Sequence, residues 1–334
     1  MLRSKLPSYF YDFTTLDENI IGVGQGNKWV RGKDTGEKAL VILVKKKYPR
    51  KNLQREQIIP KKVDGILTDI IEVGEIRFFN ERTEFKRPCQ PGMSIGHYKI
   101  SAGTLGAVVK DRDSSELLML SNNHVLANLS DGSDGNCQIG DPILQPGLFD
   151  GGDLSYSVIG SLVRYAPLYH ETIAPKCFIA KYFEQALNFC IRKFKPQYHV
   201  KVIRQNEKFN LVDCAVAKLL NSDLIQSDIL EVGAICGVKD PEVAMLIKKS
   251  GRTTGLTYSI ILATDVTVKV FMTDREYGIF SDQIIAGPMS MPGDSGSLVL
   301  SEDNYAVGLL FAGSEQATII NHISNVCDSL NIEF

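Results

Sequence analysis

The chain is poor in tryptophan, with one in 334 residues, and has no surplus of either charge: 37 Lys+Arg against 39 Asp+Glu, a formal net charge of −2. With a pI near 6.2, nothing in the overall charge points toward nucleic acid or an anionic membrane. No stretch approaches the ~18 apolar residues of a membrane-crossing helix. The start, Met1-Leu-Arg-Ser-Lys-Leu-Pro-Ser8, lacks the apolar centre of a secretion signal. Seven cysteines are an odd number, and none falls in a C-x-x-C pair, which speaks against both a zinc cluster and a secreted disulfide framework. These absences lead us to expect a cytoplasmic protein with no cofactor or metal and no nucleic-acid or membrane partner. Apolar residues at 44% and charged ones at 23% suit an ordinary folded chain.

Residues 1 to about 85 read as a small α+β module. Its strand-like runs are Ile20-Ile-Gly-Val-Gly24, Ala39-Leu-Val-Ile-Leu-Val44 and Thr68-Asp-Ile-Ile-Glu-Val73. Gly22-Val-Gly24-Gln-Gly26 lacks the spacing of a dinucleotide loop and is read as strand. The segment from Glu81 to Gly96 reads as a linker or docking arm. From about residue 86 onward, short apolar runs separated by turn residues recur with no βαβ rhythm, which predicts barrels or a sandwich. A dense apolar stretch, Ile173 to Arg192, breaks that rhythm and predicts a helical insertion over about 165–208, whose apolar face must be buried against the body of the protein, a partner or a substrate, with the body expected first.

The stretch Met289-Ser-Met-Pro-Gly-Asp-Ser-Gly-Ser-Leu-Val-Leu300 presents Ser295 between two glycines at the entry to an apolar run. Such a turn leaves a hydroxyl uncrowded and backbone N–H groups free to meet an oxyanion. Of five histidines, His124 stands in a strand-end run of its own, Leu120-Ser-Asn-Asn-His-Val-Leu-Ala127. Asp213 lies in Leu211-Val-Asp-Cys-Ala-Val-Ala217, where a carboxylate is costly to bury without a partner such as a histidine N–H. Asp141 and Asp153 sit in glycine-rich turns that account for them, and Asp131-Gly-Ser-Asp-Gly135 does not fit an EF-hand. The order His124, Asp213, Ser295 matches chymotrypsin-type hydrolases. An α/β-hydrolase would need glycine at Ser297 and His322 as its base.

With these residues the chain resembles the trypsin-like, chymotrypsin-fold serine peptidases of the PA clan. Gly293-Asp-Ser-Gly296 matches the nucleophile motif, with Ser297 departing from the usual glycine. Ser121-Asn-Asn-His-Val125 and Asp213-Cys-Ala-Val216 resemble motifs of the HtrA-type branch, of which we expect a form without a PDZ domain. Gly251-Arg-Thr-Thr-Gly-Leu-Thr257 and Val307-Gly-Leu-Leu-Phe-Ala-Gly-Ser314 are similar to intracellular bacterial trypsin-like peptidases and to the plant narrow-leaf peptidase. The resemblance implies a mostly β fold of two six-stranded barrels, at about 95–220 and about 230–334 within a peptidase domain of residues 86–334. It further implies a His124–Asp213–Ser295 triad and an oxyanion hole from the N–H groups of Gly293 and Ser295. Substrate contacts are implied at Met289, Phe311, Ala312, Gly313 and Thr318, and no carboxylate at Met289 means a small or medium apolar P1 residue. Protein or peptide substrates follow, with regulation through the N-terminal module or the insertion; a regulatory partner and an oligomer stay open. The alternatives are a binding scaffold with little turnover, and an esterase.

Overall fold

The structure is a computed structural model that describes residues 2–15, 17–74, 81–173, 177–202, 204–206, 208–273 and 276–334. Parts of the expected N-terminal module (75–80) and of the insertion (174–176, 203 and 207) lie outside these residues. The chain forms two compact units, Met1–Phe78 and Phe79–Phe334.

In the first unit a helix, Leu2–Thr14, packs on a four-stranded sheet. The hairpin Ile20–Val30 with Lys33–Val44 turns at Arg31 and Gly32, both at positive φ, and Ile66–Glu72 joins it in parallel. Tyr9 and Phe13 of the helix meet Ile20, Leu40, Ile42 and Val44 of the sheet. The Gly22–Gly26 run is strand, and a Cβ on Gly26 would fall 2.7 Å from the Val41 side chain.

The second unit is mostly β and built from two closed barrels. In the first, residues 103–111 pair at their start with Ser94–His97 and at their end with Leu117–Ser121. The ring continues through Ala215–Leu219, Val158–Tyr165 and Pro142–Leu144, which returns to Ser94–His97. In the second barrel, Leu246–Gly251, Gly255–Phe271, Tyr277–Ala286, Thr318–His322, Tyr305–Gly313 and Leu298–Ser301 form a ring of six. Successive side chains of a strand point to opposite faces. Val108 and Met119 therefore fill the first barrel, while Ala107, Val109, Leu118 and Leu120 meet Leu298, Leu300 and Leu309 of the second. Burial on both faces explains why these strands read as continuous apolar runs instead of alternating ones.

The helix Ile323–Leu330 packs between the barrels, and Ile332–Glu333 then pairs with Ala107–Asp111 of the first. The segment after Glu81 is docked, with Arg82 buried and donating to Ser250 Oγ at 2.8 Å and to the Gly92 carbonyl at 3.1 Å. Between Val158–Tyr165 and Ala215–Leu219 the chain rises on a two-stranded ribbon, Thr172–Ile173 with Arg204–Gln205, to carry the helix Phe178–Phe194. That helix corrects one expectation. Most of its apolar side chains are exposed, Ile191 is half-buried, and Asn188 is its one buried residue among those described. No described helix is long and apolar enough to cross a membrane.

Candidate active site

The first barrel brings His124 and Asp213 together by register. Ser121 pairs with Ala215, so the residues just past one strand end face those just before the other. His124 sits in the short helix Asn123–Leu126, and its Nδ1 lies 2.5 Å from Asp213 Oδ2. The His124 backbone N–H also donates to Asp213 Oδ1 at 3.2 Å. Asp213 is 4% exposed at its side chain and His124 25%, so the carboxylate is sealed while the imidazole opens outward. Two buried asparagines hold the Asp213 backbone. Asn122 Nδ2 donates to its carbonyl at 2.7 Å, and Asn321 Oδ1 accepts its N–H at 3.1 Å.

Ser295 belongs to the second barrel, in the turn before Leu298–Ser301. Gly293 and Gly296 take φ of +100° and +95°, in the left-handed region that favours glycine. A Cβ on Gly296 would lie 2.1 Å from Ser121 Oγ and 2.3 Å from the Thr104 carbonyl. The turn is bolted to the first barrel by Thr104, whose N–H donates to the Ser295 carbonyl at 2.8 Å and whose hydroxyl donates to the Gly293 carbonyl at 2.8 Å. Ser297 is fully buried, and its hydroxyl donates to the Asp294 carbonyl at 2.6 Å. Among the described residues, neither the Gly293 nor the Ser295 N–H finds an acceptor within the chain. The Ser295 hydroxyl donates to the Phe311 carbonyl at 3.3 Å.

His124, Asp213 and Ser295 all line one cavity of about 1030 Å³. Phe311, Ala312 and Gly313 line it too, whereas Met289 and Thr318 stand behind it. The Met289 N–H donates to Thr318 Oγ1 at 3.2 Å, and Ser290, Met291 and Pro292 present the wall instead. Leu129, Val268, Val270, Phe280 and Ile319 make the cavity apolar, with Phe280 and Phe311 ring centroids 4.8 Å apart. Apart from Asp213, the carboxylate among the described lining residues is the exposed Glu315.

Several residues beyond the sequence reading shape this site. Asp294 is sealed from solvent, and Oδ1 accepts the N–H groups of Thr253 and Thr254 at 2.8 and 3.0 Å. Its Oδ2 accepts the Thr254 hydroxyl at 2.6 Å and the Met291 N–H at 2.9 Å, with Lys249 Nζ 3.4 Å away. Arg252 grips Asp150 of the first barrel through Nε at 2.6 Å and Nη2 at 2.5 Å, and Ser94 Oγ donates to the same carboxylate. The run Gly251-Arg-Thr-Thr-Gly255 is thus the cradle of the serine turn, and a Cβ on Gly251 would strike Asp294 Oδ1 at 2.5 Å.

The other histidines lie elsewhere. His97 is fully buried with Nε2 3.0 Å from Asp141, so that aspartate has a partner beyond its own turn. His199 is exposed, and His170 lies 3.7 Å from Glu276. His322 joins Asp265 and Asp282, a described group whose donor atoms lie within 4.8 Å of one another. Asn325 already engages Asp282 Oδ2 there, and Thr264 engages Asp265 Oδ2. In the 131–135 loop, Asp134 accepts the N–H groups of Asp131 and Asn136, closing the loop on itself.

No family model matches the chain, and no curated protein does. Among solved structures it is similar to Thermobifida fusca Protease A, at 13% identity over 73% of this chain and 96% of that one, with a TM-score of 0.45. It is similar also to Cellulomonas bogoriensis chymotrypsin, at 14% identity over 73% and 96%, TM-score 0.43. A third is a glutamic-acid-specific serine protease that uses a histidine triad in substrate binding, at 15% identity over 73% and 98%, TM-score 0.46. At such identities and scores, the chemistry of this site rests on its own residues.

Proposed function

We propose that the chain is a serine endopeptidase that cleaves protein or peptide substrates through an acyl-enzyme. In this reading the Ser295 hydroxyl leaves the Phe311 carbonyl, gives its proton to His124 Nε2 and attacks the scissile carbonyl. His124 then protonates the leaving amine, while Asp213 fixes the Nδ1–H tautomer and stabilises the imidazolium. The Gly293 and Ser295 N–H groups receive the oxyanion, at about 3–4 kcal/mol per donor. The observation that carries the proposal is the His124–Asp213 pair on the wall of the cavity that Ser295 also lines.

The apolar lining and the absence of a carboxylate from the wall at Ser290 to Pro292 support a small or medium apolar P1 residue. Met289 and Thr318 would act from behind that wall by fixing Ser290, whose hydroxyl is 3.0 Å from Thr318 Oγ1. Equal cleavage of Lys/Arg and Leu/Val peptides overturns this preference. The three motifs favour the HtrA-like branch of the trypsin-like peptidases, and the odd, unpaired cysteine pattern favours a cytoplasmic setting. Residues 1–85 or the insertion over about 165–208 would regulate the 86–334 peptidase domain. Unchanged kinetics in a chain lacking residues 1–85 removes the first regulator.

The test of the activity itself is a fluorophosphonate probe together with peptide turnover. Labelling should fall on Ser295 and vanish in Ser295→Ala, with hydrolysis lowered roughly 10⁴- to 10⁶-fold. An unlabelled Ser295 points to a scaffold with little turnover. Labelling without peptide cleavage points to an esterase.

A further inference from the structure

The helix Phe178–Phe194 is turned the wrong way round for a helix on a protein body. At about 3.6 residues per turn, Glu184, Asn188 and Ile191 share one stripe, and polar side chains of that stripe face the chain. Asn188 exchanges two hydrogen bonds with the Val200 backbone, at 2.7 and 2.8 Å, and Glu184 accepts the Val202 N–H at 2.9 Å. The helix is therefore tied to its own returning segment through polar groups, and its apolar face is left outward. Phe178, Phe189 and Phe194 are 81%, 77% and 79% exposed, and Tyr182, Phe183 and Leu187 are exposed beside them. So large an apolar face marks a surface that something covers.

The charge of the segment says what kind of surface that is. Over residues 177–201, Lys181, Arg192, Lys193, Lys195 and Lys201 stand against the single carboxylate Glu184, for a net +4 within a chain whose total is −2. All five cations are exposed. A second copy of the helix would bring two such positive lobes together, whereas an anionic surface neutralises them. Aromatic side chains on the outward face, with basic residues flanking it and following it at the C-terminal end of the helix, suit the boundary between lipid headgroups and acyl chains. The ribbon places the lobe next to the start of the strand Tyr277–Ala286 of the second barrel, since the Glu171 N–H donates to the Tyr277 carbonyl at 2.8 Å.

We infer that this lobe is an in-plane anchor for anionic phospholipid membranes. The aromatic face enters the interface, and Arg192, Lys193 and Lys195 sit at the level of the headgroup phosphates. The inference is independent of peptidase activity.

The test is co-sedimentation of the full chain with vesicles of phosphatidylcholine alone and of phosphatidylcholine mixed with phosphatidylglycerol. The protein should pellet with the mixed vesicles only, and less so as salt is raised. Arg192→Gln/Lys193→Gln/Lys195→Gln should weaken partitioning on the order of 100-fold. Phe183→Ser/Leu187→Ser/Phe189→Ser should abolish it. Because these side chains are exposed, an unchanged melting transition in both variants separates lost binding from lost fold. The inference is overturned if the chain ignores the anionic vesicles, or if either variant still pellets like the parent. It is equally overturned if sedimentation velocity shows a dimer that the serine variant dissolves while vesicles capture nothing.

Discussion

Lys249 Nζ lies 3.4 Å from Asp294 Oδ2, with both side chains completely withdrawn from solvent. Lys249 also donates to the Thr254 hydroxyl and, at 3.0 Å, to the Gly255 carbonyl. Asp294 immediately precedes Ser295, so whatever holds its carboxylate also sets the direction of the Gly293 and Ser295 N–H groups. Here the counter-charge comes from a strand of the same barrel.

Removing that cation leaves a carboxylate buried and uncompensated. Lys249→Met should cost about 3–5 kcal/mol in chemical unfolding, and kcat should fall more than KM rises. Lys249→Arg should recover part of both. Wild-type kinetics in Lys249→Met would separate the pair from the geometry of the turn.

Burial pushes the Lys249 ammonium below the ordinary lysine value of 10.5, although Asp294 pulls the other way. Between the lowered folded pKa and the unfolded one, the unfolded chain binds the extra proton. This group's penalty on folding is therefore present at lower pH and relieved as pH rises. Activity should run the opposite way, because the turn needs the cation. A kcat/KM profile should show an alkaline fall below the usual lysine range, displaced upward in Lys249→Arg. Identical profiles in the two proteins would sink the assignment.

Asp213 accepts both the Nδ1 and the backbone N–H of His124, so its carboxylate fixes ring and tautomer together. Asp213→Asn should lower kcat by roughly 10⁴-fold with KM nearly unchanged. A loss smaller than tenfold in a steady-state assay would mean that His124 works without it.

Arg252 spans the two barrels by a forked contact to Asp150. Lysine cannot reproduce a fork. Arg252→Lys should cost about 1.5–3 kcal/mol, as for a hydrogen bond to a charged group. A differential scanning calorimetry trace that does not move would show the clamp to be idle.

Ser297 fills the position where the resembled family carries a second glycine, and its hydroxyl closes on the Asp294 carbonyl. Ser297→Ala should lower stability by about 1 kcal/mol and leave P1 preference alone. An unaltered melting temperature would count against a role for that bond.

The residues that the sequence made legible are those whose local runs are odd in themselves. Asp213 inside an apolar run demands a partner, and Ser295 between glycines demands a turn. The rest depended on packing. Lys248 and Lys249 are adjacent and look alike, yet strand alternation sends one outward to the Glu302 carbonyl and the other into the barrel. Asp150 looks like a turn residue until Arg252 reaches it from the other barrel. Pro7 and a weak apolar pattern obscure the helix Leu2–Thr14 in the sequence. The apolar density of the insertion predicts a helix, but density does not tell which way a face will turn. Asn188 and Glu184, by binding the returning segment, decide that.

The pairing of Ile332–Glu333 with Ala107–Asp111 has a consequence for biosynthesis. The first barrel is read out early on the ribosome, yet one of its strands keeps a bare edge until residues from far downstream arrive. Exposed strand edges invite pairing with other chains, and such distant contacts form slowly. A nascent chain interrupted before Ile332 would thus expose a sticky border on an otherwise finished barrel.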